Sequence, residues 1–454
     1  YIFDCLAWCG MEPDESSLHG GPMGPYRQSE RKESYRQYAE KLIREGHAYY
    51  AFDTPEELEK MREDLKASGS SSLQYDHRVR MKMNNSLSLP AEKVQQLLEA
   101  GTAHVIRIKM DPGHTLKMTD LIRGEIEFDS ASVDDKVLLK ADGMPTYHLA
   151  VVVDDYLMKI THAFRGEEWL PSAPVHILLW EKLFGLSQMP QWAHLPLILK
   201  PDGNGKLSKR DGERLGFPVY ALSWADPASG TVSPGFKELG FLPEAFINFL
   251  ALLGWNSGTE QEIFTIQELI DTFSIERIHK GGAKFDYEKA KWFNHEWIKR
   301  SSAERLLIPV KNILADNDIN PSDEDIIQMI EMIKDRCTLL SDFYHQGIFF
   351  FKAPDVFDEA SVMPKWDAGK TAFFSKWSQQ LKDLPIWDTA SIESSCKEAA
   401  AAGQIKVGEI QMIFRIMLVG SKMGPAVFAI ADRIGREETL NRIQRASKLF
   451  DSKI

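Results

Sequence analysis

A short basic segment, the lysine loop at residues 206–210, contains the residues of this chain that most directly suggest chemistry. Lys206 and Lys209 flank Ser208 there. Turn-forming residues at 201–205 precede the loop, and an apolar run ends just upstream of them. A mobile loop of concentrated positive charge beside a strand end suits a polyphosphate whose charge distribution changes during a reaction. A solvated loop without a function would have the same composition.

The segments before the lysine loop alternate between strand and helix patterns. We expect residues 159–164 to form a short buried strand, residues 171–184 an apolar helix and residues 194–199 a second strand. This order is typical of one half of a parallel α/β sheet. Because ligands of such sheets bind at the carboxyl ends of the strands, we expect Arg165 and the lysine loop to lie near one another.

The flanking regions differ in their patterns. Upstream, a helix is predicted at 29–45, a capping box at Thr54 predicts a second helix to about residue 66, and 105–108 and 136–140 have strand patterns. Beyond about Asn294 the strand patterns fade. The last third is predicted to be entirely helical, with periodic segments at 304–315, 323–334, 370–382, 391–403 and 437–450.

Composition restricts the class of protein. The 454 residues include 54 basic and 66 acidic side chains, which give a net charge of −12, and 43% are hydrophobic. These values are ordinary for a globular protein of about two to four domains. The four cysteines form no Cys-x-x-Cys pair, which favours a reducing compartment. No apolar run is long enough to span a membrane, so we expect a cytoplasmic protein.

A series of short motifs runs in order along almost the whole chain. They are GPYRQSER at 24–31, DGMPTYH at 142–148, VVDD at 152–155, RGEEW at 165–169, KLSKR at 206–210, LLGW at 252–255 and KGGAKFD at 280–286. Each motif alone is unspecific, but the ordered set is specific. The set resembles the bacterial-type glutamyl-tRNA synthetases, which are class I aminoacyl-tRNA synthetases.

The resemblance implies a fold and a division into domains. The fold would be a Rossmann-type α/β catalytic domain with an inserted α+β acceptor-binding domain, followed by an all-α anticodon-binding region. The corresponding boundaries are 1–30 for the remainder of the first half of the nucleotide-binding domain, 31–140 for the insertion, 141–220 for the second half of the catalytic domain, 221–300 for a stem-contact helical domain, and 301–454 for the helical anticodon-binding region.

The activity implied by the resemblance is ATP-dependent ligation of glutamate to tRNA(Glu). A glutamyl-adenylate would form first, and AMP and pyrophosphate would be released. ATP would act together with Mg²⁺, and the resemblance implies a monomer. Because this reaction needs little covalent chemistry from the protein, positioning and charge stabilisation would supply the catalysis.

The resemblance also implies roles for single residues of the catalytic half. Lys209 would contact ATP and stabilise charge as pyrophosphate leaves, while Lys206 and Ser208 would shape and close the loop. Arg165 and Tyr147 would bind glutamate, because a guanidinium pairs with a carboxylate and a phenol adds one directed hydrogen bond.

Two further residues, Glu168 and Trp169, match positions near the ribose and base of ATP. Many relatives have histidine where this chain has Trp169. From the residues alone other roles remain open, because Arg165 could belong to a structural ion pair and Tyr147 and Trp169 could pack in a core.

Two features of the family have no counterpart in this sequence. A His-x-Gly-His-type element that grips ATP is absent, together with an arginine-bearing strand before it, so we expect the chain as given to be incomplete for catalysis. Where some relatives have zinc-binding cysteines, this chain has Ala51, Asp53 and Val79. Without thiolates a tetrahedral site cannot assemble, so no structural zinc is expected.

Candidate tRNA contacts lie in the second half of the chain. Residues 271–311 include nine basic and six acidic side chains. They are expected either to follow the tRNA backbone or to form a mixed, solvated helix face. Arg336 aligns by resemblance with an arginine that reads the third anticodon base, although a surface arginine would look the same.

Three other functions remain open. A glutaminyl-tRNA synthetase would share the catalytic architecture, but its C-terminal half would be a β-barrel. A tRNA-modifying glutamyl-queuosine synthetase would lack an anticodon region, and a tRNA-binding module would lack activation chemistry. The sequence does not distinguish charging of tRNA(Glu) alone from charging of tRNA(Gln) as well, and it does not show whether activation requires tRNA.

Overall fold

The computed structural model describes the backbone of residues 1–454 and all side chains except that of residue 213. The first 300 residues combine helices with short strands. The helices are α1 (Ile2–Trp8), α2 (Lys32–Arg44), α3 (Pro55–Ala67), α4 (Ala91–Glu99), α5 (Tyr147–Leu157), α6 (Ala173–Leu183), α7 (Lys209–Leu215), α8 (Pro243–Ala251), α9 (Ile266–Thr272), α10 (Tyr287–Arg300), α11 (Ala303–Ala315), α12 (Asp323–Ile333), α13 (Asp342–Gly347), α14 (Glu359–Val362), α15 (Ala368–Lys382), α16 (Thr389–Ala402), α17 (Val407–Val419), α18 (Val427–Ile434) and α19 (Arg436–Asp451). The strands are β1 (Ala48–Ala51), β2 (Val105–Ile108), β3 (Thr115–Asp120), β4 (Gly124–Asp129), β5 (Val137–Leu139), β6 (His162–Gly166), β7 (Gln191–Leu195), β8 (Ile198–Leu199), β9 (Trp224–Ala225), β10 (Val232–Ser233) and β11 (Ala283–Lys284).

The sheet that carries the candidate site has the strand order β4-β3-β7-β6. β6 and β7 are parallel, with Arg165 opposite His194, and α6 forms the connection between them. This confirms the predicted parallel pair, but the predicted strand at 194–199 is divided. β7 ends at Leu195, and Ile198–Leu199 form β8, which pairs with β11 in a separate two-stranded sheet. β3 and β4 form an antiparallel hairpin, and β3 continues the sheet by pairing with β7 in parallel.

The prediction that residues 159–164 form a buried strand was wrong in its burial. The strand begins at His162 and lies at the edge of the sheet, where Phe164 is 48% exposed. An apolar run predicts a strand, but it does not show whether that strand has one neighbour or two. Because β6 is an edge strand, one of its two edges is unpaired beside the end that carries Arg165.

The core under this sheet continues into the region before it. Buried residues of α2, α5 and α6 pack together with residues of the antiparallel sheet β1-β2-β5. The largest of them include Tyr35, Trp180 and Trp192, each no more than 1% exposed. This shared core fixes α5 and α6 relative to β6 and β7. These four elements carry the Arg165 cluster, which consists of Arg165, Asp155, His176 and Trp192.

The last third of the chain is helical, as predicted, because no strand follows β11 in the described backbone. The predicted helices agree with α11, α12, α15, α16 and α19 to within about two residues at each end. They form two apolar cores, one around α11–α13 and one around α15–α19, and Phe350 packs against both. Among the described residues, none of the helices has both the length and the apolar character that a membrane crossing requires.

Candidate active site

Arg165 stands near the carboxyl end of β6, and its guanidinium has three neighbours. Its Nη2 donates to Asp155 Oδ2 at 3.2 Å, and its Nη1 lies 3.3 Å from His176 Nδ1. The ring of Trp192 lies 5.2 Å from the guanidinium carbon. The Arg165 side chain is only 10% exposed, so these contacts hold the guanidinium in one place. Burial raises the pKa of the Asp155 carboxyl to about 6, although the charge of Arg165 acts in the opposite direction.

Tyr147 opens α5 on the same side of the sheet. Its ring centroid lies 4.6 Å from that of Trp169 and 5.3 Å from that of His176. Burial raises the pKa of the Tyr147 phenol, while the nearby Arg165 lowers it. Trp169 is 44% exposed, so it is not a core residue. Tyr147 and Trp169 therefore form an aromatic wall beside the Arg165 guanidinium.

The lysine loop reaches this wall through an ion pair between Lys206 and Glu168. The hydrogen bond from Lys206 is the main reason why the pKa of the Glu168 carboxyl is lowered. A Cβ on Gly166 would collide with the Glu168 carboxylate, so a side chain at position 166 would displace this acid. The loop and the Arg165 segment thus meet at one edge of the sheet.

Lys209 is directed elsewhere. Its ammonium lies 5.6 Å from the ring centroid of Tyr220 and 5.7 Å from that of Trp224. Lys209 is also the first residue of α7, and the residue before it, Ser208, donates from its hydroxyl to Asp211 Oδ2 at 2.6 Å. Of the two loop lysines, the described contacts therefore bring Lys206, and not the Lys209 ammonium, to the Arg165 cluster.

Several site residues were not found from the sequence. Asp155 lies in the VVDD motif at 152–155, but the motif does not show that its two acidic side chains face in different directions. Asp154 is held by Arg31 at 3.1 Å and by the Tyr35 hydroxyl at 2.9 Å, whereas Asp155 faces Arg165. His176 is the only ionisable residue in the apolar stretch 173–180 of α6. A lone histidine among apolar residues is the feature by which the sequence could have indicated it.

The region that replaces the zinc site is apolar. Ala51 and Val79 are buried in a small core together with Tyr49, Met61 and Tyr75. Asp53 adjoins this core and accepts a hydrogen bond from the Tyr75 hydroxyl at 3.0 Å. Among the described residues, no group of three or more histidine, cysteine and acidic side chains could hold a metal ion. Hydrophobic packing stabilises the core around Ala51 and Val79.

The basic residues of 271–311 are less available than their charges suggest. Five of them form ion pairs with acidic side chains: Lys289, Lys291, Arg300, Arg305 and Lys311. The Lys284 side chain packs against Gly203 in the turn before the lysine loop. This pattern favours a mixed helix face over a continuous phosphate-binding track.

Arg336 lies in the helical region, in a 3₁₀ turn (Lys334–Arg336) directly after α12. Its side chain is exposed, and its carbonyl accepts a hydrogen bond from Gln346 at 3.1 Å. Burial and the charge of Arg336 both lower the pKa of Arg415. The two guanidinium groups thus lie close enough for their charges to interact, and both are far from Arg165 in sequence.

Comparison with known proteins agrees with this architecture. Residues 1–292 match the family described as class I tRNA synthetases (E and Q), catalytic domain, and residues 289–447 match the anticodon binding domain family. The glutamate–tRNA ligase of Cytophaga hutchinsonii is 47% identical over 100% of this chain and 88% of its own length.

Solved structures give the same result. The crystal structure of a glutamate tRNA ligase from Elizabethkingia meningosepticum in complex with its amino acid superposes with a TM-score of 0.94 at 44% identity, covering 99% of this chain and 88% of the other. A glutamate-tRNA synthetase from Elizabethkingia anophelis gives a TM-score of 0.91 at 45% identity, covering 99% and 89%. Because the catalytic family covers more than half of the chain and the relatives extend along nearly all of it, this chain belongs to the glutamate–tRNA ligase family of class I tRNA synthetases.

Proposed function

We propose that this chain ligates glutamate to tRNA(Glu) in two steps, first forming a glutamyl-adenylate from ATP and then transferring the glutamyl group. The observation that carries the proposal is the Arg165 guanidinium, which is held by Asp155, His176 and Trp192 at the end of a parallel strand. Ligands of open α/β sheets bind at this edge. Family membership supports the reaction type.

Glutamate binding is assigned to Arg165 and Tyr147. A guanidinium has more N–H donors than the two that contact Asp155 and His176, so the remaining donors can pair with a carboxylate of glutamate. A tyrosine phenol is protonated at neutral pH, and the raised pKa of Tyr147 keeps it so; it can therefore donate a hydrogen bond to the same substrate. Both side chains are packed before substrate arrives, which reduces the ordering cost of binding.

ATP binding is assigned to the adjoining wall and loop. The half-exposed Trp169 ring would stack on the adenine, and Glu168 would accept hydrogen bonds from the ribose. Lys206 and Lys209 would neutralise phosphate charge, and Ser208 would hold the start of α7 in place. Mg²⁺ would enter with the phosphates of ATP, as it commonly does in nucleotide sites.

The partner is assigned as tRNA(Glu), bound by a single copy of the chain. The all-helical region after β11 fits an anticodon-binding role and differs from the β-barrel half of a glutaminyl-tRNA synthetase. It also exceeds what a tRNA-modifying enzyme without an anticodon region would contain. Arg336 is the residue proposed to contact the anticodon.

The test is glutamylation of purified tRNA(Glu) by the full-length protein and by its Arg165→Lys variant. Lysine keeps the charge but cannot pair bidentately with a carboxylate, so the KM for glutamate should rise by about a hundredfold. Arg445→Lys is the control, because Arg445 forms an exposed ion pair with Asp355 in the helical region. An unchanged glutamate KM in Arg165→Lys would contradict the assignment of the glutamate site.

A further inference from the structure

His176 lies at the centre of a short chain of hydrogen-bonding groups. It is 1% exposed and sits on α6, with its Nδ1 3.3 Å from Arg165 Nη1. Its Nε2 lies 3.1 Å from Nδ1 of His148, which is on α5. One buried imidazole therefore connects the arginine of the site to a second imidazole.

The chemistry of the guanidinium decides where the protons of this chain lie. A guanidinium only donates hydrogen bonds, so His176 Nδ1 must be the unprotonated acceptor. His176 then carries its proton on Nε2, and this N–H donates a hydrogen bond to His148 Nδ1. Burial, with the charge of Arg165 as the second cause, lowers the pKa of His176. Both features keep the His176 ring neutral.

We propose that His176, as a neutral ring protonated on Nε2, is the positioning residue that orients the Arg165 guanidinium for glutamate. The inference rests on the proposed function, in which Arg165 binds the carboxylate. His176 does not touch substrate in this role. It acts by fixing the orientation of the plane that contains the N–H donors of Arg165.

Two contacts on different nitrogens are needed to fix that plane. Asp155 binds Nη2 alone, so without His176 the guanidinium could rotate about that single contact. The Trp192 ring supports one side of the guanidinium but supplies no directed hydrogen bond to it. His176 supplies the second fixed point, on Nη1. A bidentate carboxylate pair depends on this orientation, because its two hydrogen bonds must be parallel.

Steady-state glutamylation kinetics of His176→Leu and His176→Gln in the full-length protein test the proposal. The leucine variant fills the space without an acceptor, so its glutamate KM should rise by about tenfold or more while kcat and the KM for ATP change much less. Glutamine offers an acceptor and a donor, and should return the glutamate KM to within about threefold of wild type. His104→Leu is the control, because His104, which is half-buried, also packs against aromatic rings and lies outside the site.

A spectroscopic measurement tests the proton assignment without depending on activity. In ¹⁵N-histidine-labelled protein, the resonance that disappears in His176→Gln should show an unprotonated Nδ1 and a protonated Nε2 at neutral pH. A protonated Nδ1 would overturn the proposal. So would a wild-type glutamate KM in a folded His176→Leu protein that glutamylates tRNA. A wild-type protein that does not glutamylate tRNA would instead overturn the proposed function itself.

Discussion

Single residues of this site have charge states that depend on their neighbours. His148 is the clearest case, because burial lowers the pKa of its ring to about 4, and Lys136 adds to this effect while Asp134 opposes it. An unfolded histidine titrates near pH 6.5. Between these two values the unfolded chain binds a proton that the folded chain does not bind. Folding stability contributed by His148 is therefore present above about pH 6.5 and is lost as the pH falls towards 4.

The corresponding prediction concerns His148→Gln. The free energy of unfolding of the wild type should fall relative to that of the variant by up to about 3 kcal/mol between pH 7 and pH 4. Urea denaturation of both proteins at several pH values, followed by the fluorescence of the buried tryptophans, would measure the difference. Parallel pH dependences for the two proteins would contradict it.

The sequence predicted some of these residues and not others for a physical reason. Arg165 and Tyr147 stand in recognisable motifs, and the structure does bring their side chains together around His176. His176 and Asp155 act through contacts between separate elements. Nothing local to either residue shows which guanidinium it faces, so only the packing of α5 and α6 against β6 reveals the cluster.

Among the elements, the lysine loop contacts the hairpin of β9 and β10, and the sequence motifs do not show this contact. Lys209 lies over the rings of Tyr220 and Trp224, the latter in β9, so in its proposed role at ATP its ammonium would exchange these rings for phosphate oxygens. A cation over aromatic rings at an exposed site is stabilised by about 0.5–1 kcal/mol. We therefore expect the hairpin to oppose closure of the loop onto ATP.

Trp224→Leu should remove part of this opposition. We expect the KM for ATP to fall by about two- to fivefold, with the KM for glutamate unchanged. Trp292→Leu is a matched control, because Trp292 is another partly exposed tryptophan beneath a lysine, Lys289, and lies outside the loop. A higher ATP KM in Trp224→Leu would show instead that the aromatic pair supports the working position of Lys209.

Elements were predicted more accurately than their surroundings. Helix bounds follow from periodicity and caps, and the Thr54 capping box forms as expected, with Glu57 N–H 3.3 Å from Thr54 Oγ1. The exposure of β6 was predicted wrongly because the sequence of a single strand does not show how many strands pair with it in the sheet. The hairpin of β3 and β4 extends that sheet from a distant part of the chain, and this pairing also had no local signal.

For the whole molecule, the local arrangement of charged residues matters more for an anionic partner than the net charge of −12. Most basic residues of 271–311 form ion pairs. Arg336, by contrast, lies close enough to Arg415 for its charge to help lower the pKa of Arg415. Like charges held together repel each other, and an anionic partner would relieve that repulsion. In the proposed function, the anticodon end of a tRNA would supply such a partner, together with unstacked bases whose edges an arginine can read.

Arg336→Ala separates the two ways in which this surface can act. If Arg336 reads a base, the KM for tRNA(Glu) should rise by about tenfold or more, and discrimination between glutamate and glutamine tRNAs should relax. If it contacts only phosphate, binding of all tRNAs should weaken alike, and the salt dependence of binding should become less steep. Glutamylation of the two purified tRNAs at several salt concentrations distinguishes these results, with Arg445→Ala as the control in the same helical region. We expect the first result, because Arg336, which is exposed after α12, aligns by resemblance with an arginine that reads the third anticodon base. A tRNA affinity unchanged by the substitution would exclude both roles.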